Sequence, residues 1–201
     1  MDVAGLERLF WSARRSIKVS PFSIPGSRTD RVRYSCLVSG SPVFQLIDNF
    51  TLFYFRFMES NKTNDPHYWS AMADTRVHST WAGLAFERLC LQHIDGIKHA
   101  LGISGVLTNV HSWRNANAQV DLLIDRRDGI INICEMKYWA GSYAMTAADD
   151  AVLMNKRAEF KEATKTRKAV HLTMVTSFGV KPNAYSGRVQ SFAMLDDLFA
   201  M

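Results

Sequence analysis

The chain has 201 residues, of which 47% are hydrophobic. That length and composition suit one packed domain with an added element, and they exclude a repeat array or a low-complexity chain. The formal net charge is +5. Residues 1–40 hold seven Lys/Arg against three Asp/Glu, so most of the excess lies there, and a polyanionic partner is compatible with it. The three cysteines, Cys36, Cys90 and Cys134, are odd in number and lack metal-ligand spacing. They imply a reduced, cytoplasmic chain with buried thiols.

Residues 1–42 read as an irregular basic segment. A short amphipathic helix is compatible with residues 6–17, and the Pro21 to Ser27 stretch breaks any regular element. Residues 43–58 predict a helix, because Leu46, Ile47, Phe50, Phe53, Tyr54 and Phe57 recur at spacings of three and four. This segment is the most apolar in the chain, yet it carries Asp48 and Arg56 and is too short to span a bilayer. No membrane partner is expected. Its aromatic residues are too many for one narrow stripe, so some must pack on another element or form an interface. A turn-rich linker follows at residues 61–66.

Thr80 is the expected N-cap of a long helix from Trp81 to about Ala100, with Leu84, Leu89, Ile94 and Ile97 as its buried stripe. Three strands are predicted next, at residues 106–113, 119–125 and 130–137. The Arg126-Arg127-Asp128-Gly129 stretch makes a tight turn between the second and third. Thr146 to Asp149 resembles a capping box and opens a helix to about Ala163. A strongly apolar strand follows at 169–177, then a loop, a short strand at 189–192 and a final helical turn at 195–199. A hairpin followed by a crossover helix implies an α/β fold, with a mixed sheet flanked by helices.

Side chains alternate along a strand, so Glu135 and Lys137 share one face of the third strand. Folding the hairpin back brings Asp121 close to Glu135. Two carboxylates and an ammonium on one sheet face suit a hard divalent cation and a polarised water. Asp121, Glu135 and the backbone carbonyl of Met136 would supply oxygen ligands to Mg²⁺ or Mn²⁺. Lys137 would orient the attacking water and offset charge in the transition state. Glu87, on the helix before the sheet, can support the metal through water or pair with Arg88 or Lys98. Lys156, on the helix after the third strand, and Arg126 are candidate phosphate contacts. The alternative roles are structural. Asp121 can cap its strand or pair with Arg126 or Arg127, Asp125 can serve as the turn-entry residue, and Lys156 can be a surface lysine.

The ordered set of Gly-x-x-Phe-Glu at 83–87, then Asp121, then Glu135-x-Lys137 resembles the PD-(D/E)xK nuclease superfamily. A closer resemblance is to the nuclease-like domain at the C-terminus of prokaryotic AAA-type ATPases. The segments that carry it run from Phe44 to Phe55, from Trp81 to Cys90, from Gln119 to Arg126, from Ile133 to Lys137 and from Leu195 to Phe199. The resemblance implies a restriction-endonuclease-like sheet over residues 79–201, preceded by a helical connection at 43–78. It further implies a DNA substrate, a magnesium cofactor, Asp121 and Glu135 as metal ligands, Lys137 as catalytic lysine and Glu87 as the helix acid. The chain would be a C-terminal fragment or a free-standing remnant of such an ATPase. It has no Gly-x-x-x-x-Gly-Lys-Ser/Thr phosphate loop, so ATP hydrolysis is not expected.

Two functions follow as expectations. One is a metal-dependent DNA nuclease. The other is a catalytically silent module that binds DNA or a partner, the partner being an ATPase domain or a second copy held through the aromatic 43–58 segment. A purely structural protein, in which the carboxylates are incidental, would be supported if Asp121 and Glu135 lay more than about 8 Å apart, beyond the reach of one ion.

Overall fold

The computed structural model describes residues 48–59, 61, 65–73 and 75–200, together with the backbone of Ser35 and Cys36. The expected helix at residues 6–17 lies outside these residues. Six strands form one sheet in sequence order: β1 (Ser35–Cys36), β2 (Thr108–Arg114), β3 (Gln119–Arg126), β4 (Ile130–Lys137), β5 (Ala169–Thr176) and β6 (Ser191–Met194). β2, β3 and β4 are an antiparallel meander, whereas β4, β5 and β6 run parallel. β1 is only two residues long and joins β2 in parallel, so part of the segment read as irregular docks on the sheet.

The β3–β4 hairpin forms where the sequence places it. Gly129 adopts φ +88°, a conformation that residues with a Cβ rarely take, and the Arg126 guanidinium hydrogen-bonds Asp128 across the turn. The parallel step from β4 to β5 needs a crossover, and the helix α5 (Ala147–Thr164) provides it. Its capping box is complete. The Thr146 hydroxyl accepts from the Asp149 N–H at 3.2 Å, and the Asp149 carboxylate accepts from the Thr146 N–H at 2.9 Å. Lys165 ends the helix in the left-handed conformation.

The other helices are α1 (Asn49–Phe53), which continues into a π-helical turn at Tyr54–Met58, α2 (Tyr68–Ala73), α3 (Arg76–Gln92) and α4 (Ile94–Ala100). Two expectations are corrected here. The long helix is capped by Thr75, whose hydroxyl accepts from the His78 N–H at 3.2 Å, so Thr80 lies inside it. It is also not continuous. His93, at φ −115° and ψ 41°, breaks the path and redirects α4, so that Ile97 enters the core. The helix α2 lies just after the 61–66 linker, inside the helical connection expected at 43–78. Trp69 on α2 stacks edge-on against Phe53 and Phe57 at 5.1 and 5.6 Å, and both also meet Trp81 of α3. This cluster answers the question of where the surplus aromatics go. Phe50, Tyr54 and Met58 remain on the exposed side.

The sheet has a core on each face. Trp113, Val120, Leu123, Ile131, Ile133, Leu172 and Met174 pack against Leu153 and Phe160 of α5. Leu122, Ile124, Cys134, Val175 and Ala193 pack on the other face against Phe86, Cys90, Leu91 and Ile97 of α3 and α4 and against Leu198. Complete burial of each Leu or Ile in these layers stabilises by about 1.5–3 kcal/mol. The result is the mixed sheet flanked by helices that the element order implies. Cys90 and Cys134 are free and buried in the second core, and burial pushes the Cys134 thiol up to about 12. No helix among the described residues is long and apolar enough to cross a membrane.

Candidate active site

The antiparallel register of β3 and β4 pairs Leu122 with Cys134. The paired register ends there, and Asp121 and Glu135 are the next residues along the two strands. Asp121 also sits at an irregularity. Against β2, Leu123 pairs with His111 but Val120 pairs with Trp113, so Asp121 and Leu122 together face Ser112. Val120 and Leu123 therefore both enter the core beneath α5, although strict alternation would send them to opposite faces. Such a bulge bends the strand and re-aims a side chain. The half-buried Asp121 carboxylate accepts a hydrogen bond from the Gln119 amide at 2.5 Å.

Glu135 is the centre of the cluster. Its carboxylate accepts from the Lys156 ammonium at 2.6 Å on one oxygen and lies 3.6 Å from Lys137 on the other. Lys137 also approaches Asp149 at 4.0 Å. β4 presents Glu135 and Lys137 on the α5 face, and α5 turns Asp149 and Lys156 back towards them. A small cleft beside Glu135 is lined by Lys137, Asp149, Val152, Leu153 and Met174. Asp121 does not line this cleft.

Asp149 and Tyr143 belong to the same neighbourhood. Burial works against ionisation of Asp149. It is outweighed by hydrogen bonds from the Thr146 hydroxyl and backbone N–H, by the Tyr143 hydroxyl and by the Lys137 charge, and the carboxyl ends below its ordinary range. Tyr143 is pushed above the usual phenol range, first by burial, then by its hydrogen bond to Asp149 and the negative charges of Asp149 and Glu135. Neither residue stands out in the sequence as part of a site. The capping box at Thr146 and Asp149 is legible there, but its approach to Lys137 depends on how α5 lies across β4.

The remaining sequence candidates are dispersed. Glu87 is carried by α3, whose buried side packs on the opposite face of the sheet. Neighbouring Phe86 meets Tyr138, just after β4, with ring centroids 6.3 Å apart. Arg126 is at the far end of β3, about 17 Å from Asp121 along the strand, and is engaged with Asp128. It is therefore outside the cluster and does not pair with Asp121. Asp125 takes a structural role, with its carboxylate bound by Lys168 at 2.5 Å. Lys156 is not a bare surface lysine, since its side chain is only 15% exposed and pairs with Glu135.

Among the described residues, no three His, Cys, Asp or Glu side chains converge as a ready-made metal cage. The donor set nonetheless suits a Mg²⁺ ion that retains several waters, because two carboxylates and the Met136 carbonyl are all hard oxygen donors. Charge balance agrees. The Glu135 and Asp149 carboxylates balance the two ammonium groups of Lys137 and Lys156. A bound dication would make the cluster positive and suit it to a phosphodiester.

No family model, curated protein or solved structure matches the chain.

Proposed function

We propose that the chain is a metal-dependent phosphodiester hydrolase module acting on DNA. The observation that carries this reading is the cluster on the α5 face of β4, where Glu135 lies 3.6 Å from Lys137 and the paired register of β3 ends one residue from Asp121. Asp121, Glu135 and the Met136 carbonyl would hold Mg²⁺ or Mn²⁺. When bound, the ion would supply a lowered water pKa and a Lewis acid for the phosphate. The residues of the chain do the rest. Lys137 holds the attacking water by hydrogen bonding and opposes the charge that builds on the phosphoryl oxygens. Lys156 fixes the Glu135 carboxylate, which restricts its rotamer before substrate arrives. Glu87 would act only through an intervening water at the end of β4.

The test is cleavage of labelled single-stranded, duplex and branched DNA with Mg²⁺ or Mn²⁺. Asp121→Ala, Glu135→Ala and Lys137→Ala should each reduce cleavage at least about 100-fold, the scale of losing one electrostatic stabiliser of a transition state. Thermal unfolding should shift by only a few degrees. Cutting that survives Glu135→Ala would sink the assignment.

A second reading rests on a different observation. Both carboxylate oxygens of Glu135 are already near lysines, with Lys156 at 2.6 Å. A site kept in that state would be a silent DNA- or partner-binding module. It predicts DNA binding that weakens with salt, and no cleavage under any metal.

A further inference from the structure

Beside the carboxylates, the connection from β4 to α5 and the loop after β5 border a groove of about 430 Å³. It is lined by Trp139, Ser142, Tyr143, Ala144, Thr146 and Lys181. That volume is within the roughly 300–1,000 Å³ of sites that hold small ligands. We propose that this groove receives an unpaired base of single-stranded DNA, stacked on Trp139 with Tyr143 against its edge, and with Lys181 on the adjoining phosphate. The proposal rests on the reading of the neighbouring cluster as a nucleic-acid site and names the form of DNA it prefers.

The walls of the groove are aromatic and their backbone is held. Trp139 is 56% exposed, a high value for an indole. Its backbone is clasped from both sides by the buried Ser177. The Trp139 N–H donates to the Ser177 hydroxyl at 2.9 Å, and that hydroxyl donates to the Trp139 carbonyl at 2.5 Å. The Tyr143 N–H donates to the Gly179 carbonyl, and the Lys181 N–H donates to the Tyr143 carbonyl, both at 2.8 Å. The Trp139 and Tyr143 rings meet at 6.1 Å and 71°. An exposed ring on a fixed backbone loses little freedom when a ligand stacks on it.

Chemistry selects the occupant. Aromatic faces with a single cation at the rim match a base joined to a phosphate, and stacking of this kind tolerates any base. Paired bases inside a duplex already stack on their neighbours and cannot offer a face to a groove wall without being extruded. Tyr143 links the groove to the cluster, because its hydroxyl bonds Asp149, and Asp149 lies 4.0 Å from Lys137. A base held in the groove would direct its strand towards Glu135.

Metal-free binding separates this proposal from the question of cleavage. The full chain would be titrated into three dye-labelled 12-nucleotide DNAs, followed by anisotropy without divalent ions: a single strand, its blunt duplex, and a single strand with abasic sites. The single strand should bind at least about ten-fold tighter than the other two. Trp139→Ala should remove that preference and leave duplex affinity unchanged, and Trp139→Phe should restore most of it. Lys181→Ala should lower the salt dependence of binding by about one unit of slope. Equal affinity for abasic and base-bearing strands, or an unaltered preference in Trp139→Ala, would overturn the proposal. Metal-dependent cutting that fails while the preference survives would overturn the hydrolase reading alone.

Discussion

At the scale of single residues, the state of Glu135 decides how the site behaves. Its two oxygens sit between Lys156 at 2.6 Å and Lys137 at 3.6 Å, and all three side chains are at most partly exposed. An ion pair in this position competes with a metal ion for the same carboxylate. Lys156→Met keeps the aliphatic stem and removes the competitor. It should enlarge the rise in melting temperature that Mg²⁺ produces, because tighter binding to the folded chain stabilises by mass action. Thermal scans of both proteins across a Mg²⁺ titration would check this. An unchanged or smaller rise would mean that Lys156 supports the ion instead of excluding it. The sequence marks Glu135 and Lys137 as neighbours through strand alternation, but it gives no indication that Lys156 reaches them. That contact spans 21 positions and exists only because α5 crosses back over β4.

At the scale of elements, the start of α5 carries both the fold and the site. Thr146 and Asp149 satisfy each other's backbone N–H groups, and Asp149 also faces Lys137 and Tyr143. Thr146→Ala should cost about 1 kcal/mol at pH 7, the usual effect of losing a cap. The pH dependence has a definite sign. Asp149 has a folded pKa lower than its unfolded one, so its contribution is fully present above the unfolded carboxylate range and is lost as pH falls through the folded value. Part of that lowering comes from Thr146. The stability gap between wild type and Thr146→Ala should therefore be widest near neutrality and narrow below about pH 4. Denaturant unfolding at pH 7 and pH 3 would measure it, and a gap that widens in acid would contradict the role assigned to the cap. This capping box could be read directly, since it is a four-residue local pattern. The end of α3 could not. Nothing between Thr80 and Ala100 announces a break at His93, and the break follows from packing Ile97 into the second core.

At the scale of the whole molecule, the close approach of α4 to the C-terminal turn locks the second core. Gly96 is in the middle of a helix, where alanine would ordinarily gain about 1 kcal/mol. A Cβ at this position would meet the Leu198 carbonyl oxygen at 2.4 Å, and backbone cannot yield as a side-chain tip would. Gly96→Ala should therefore destabilise by about 1–3 kcal/mol, the range for overpacking. The change would be read as a lowered midpoint in urea. A raised midpoint would mean that the 196–198 turn is not held against α4. From the sequence, Gly96 looks like an ordinary weak point in a helix, because Leu198 is 102 positions away.

What could be read from the chain alone is local or periodic. Apolar runs identified β3, β4 and β5, a four-residue pattern identified the start of α5, and the Arg126 to Gly129 stretch identified the hairpin turn. Together these were enough for a mixed sheet flanked by helices and for the antiparallel pairing of β3 with β4, because a tight hairpin turns sequence distance into a register. Tertiary structure decided everything that depends on long separations. The β3 bulge at Asp121 appears only in pairing with β2. The second lysine on Glu135, the approach of Asp149 to Lys137, the packing of Phe53 and Phe57 on Trp69, and the groove beneath Trp139 all join segments whose mutual placement is set by the crossover and by helix docking. Side-chain pattern specifies which face an element buries. It does not specify which residues of two distant elements meet, since that follows from how the whole set of buried faces packs at once.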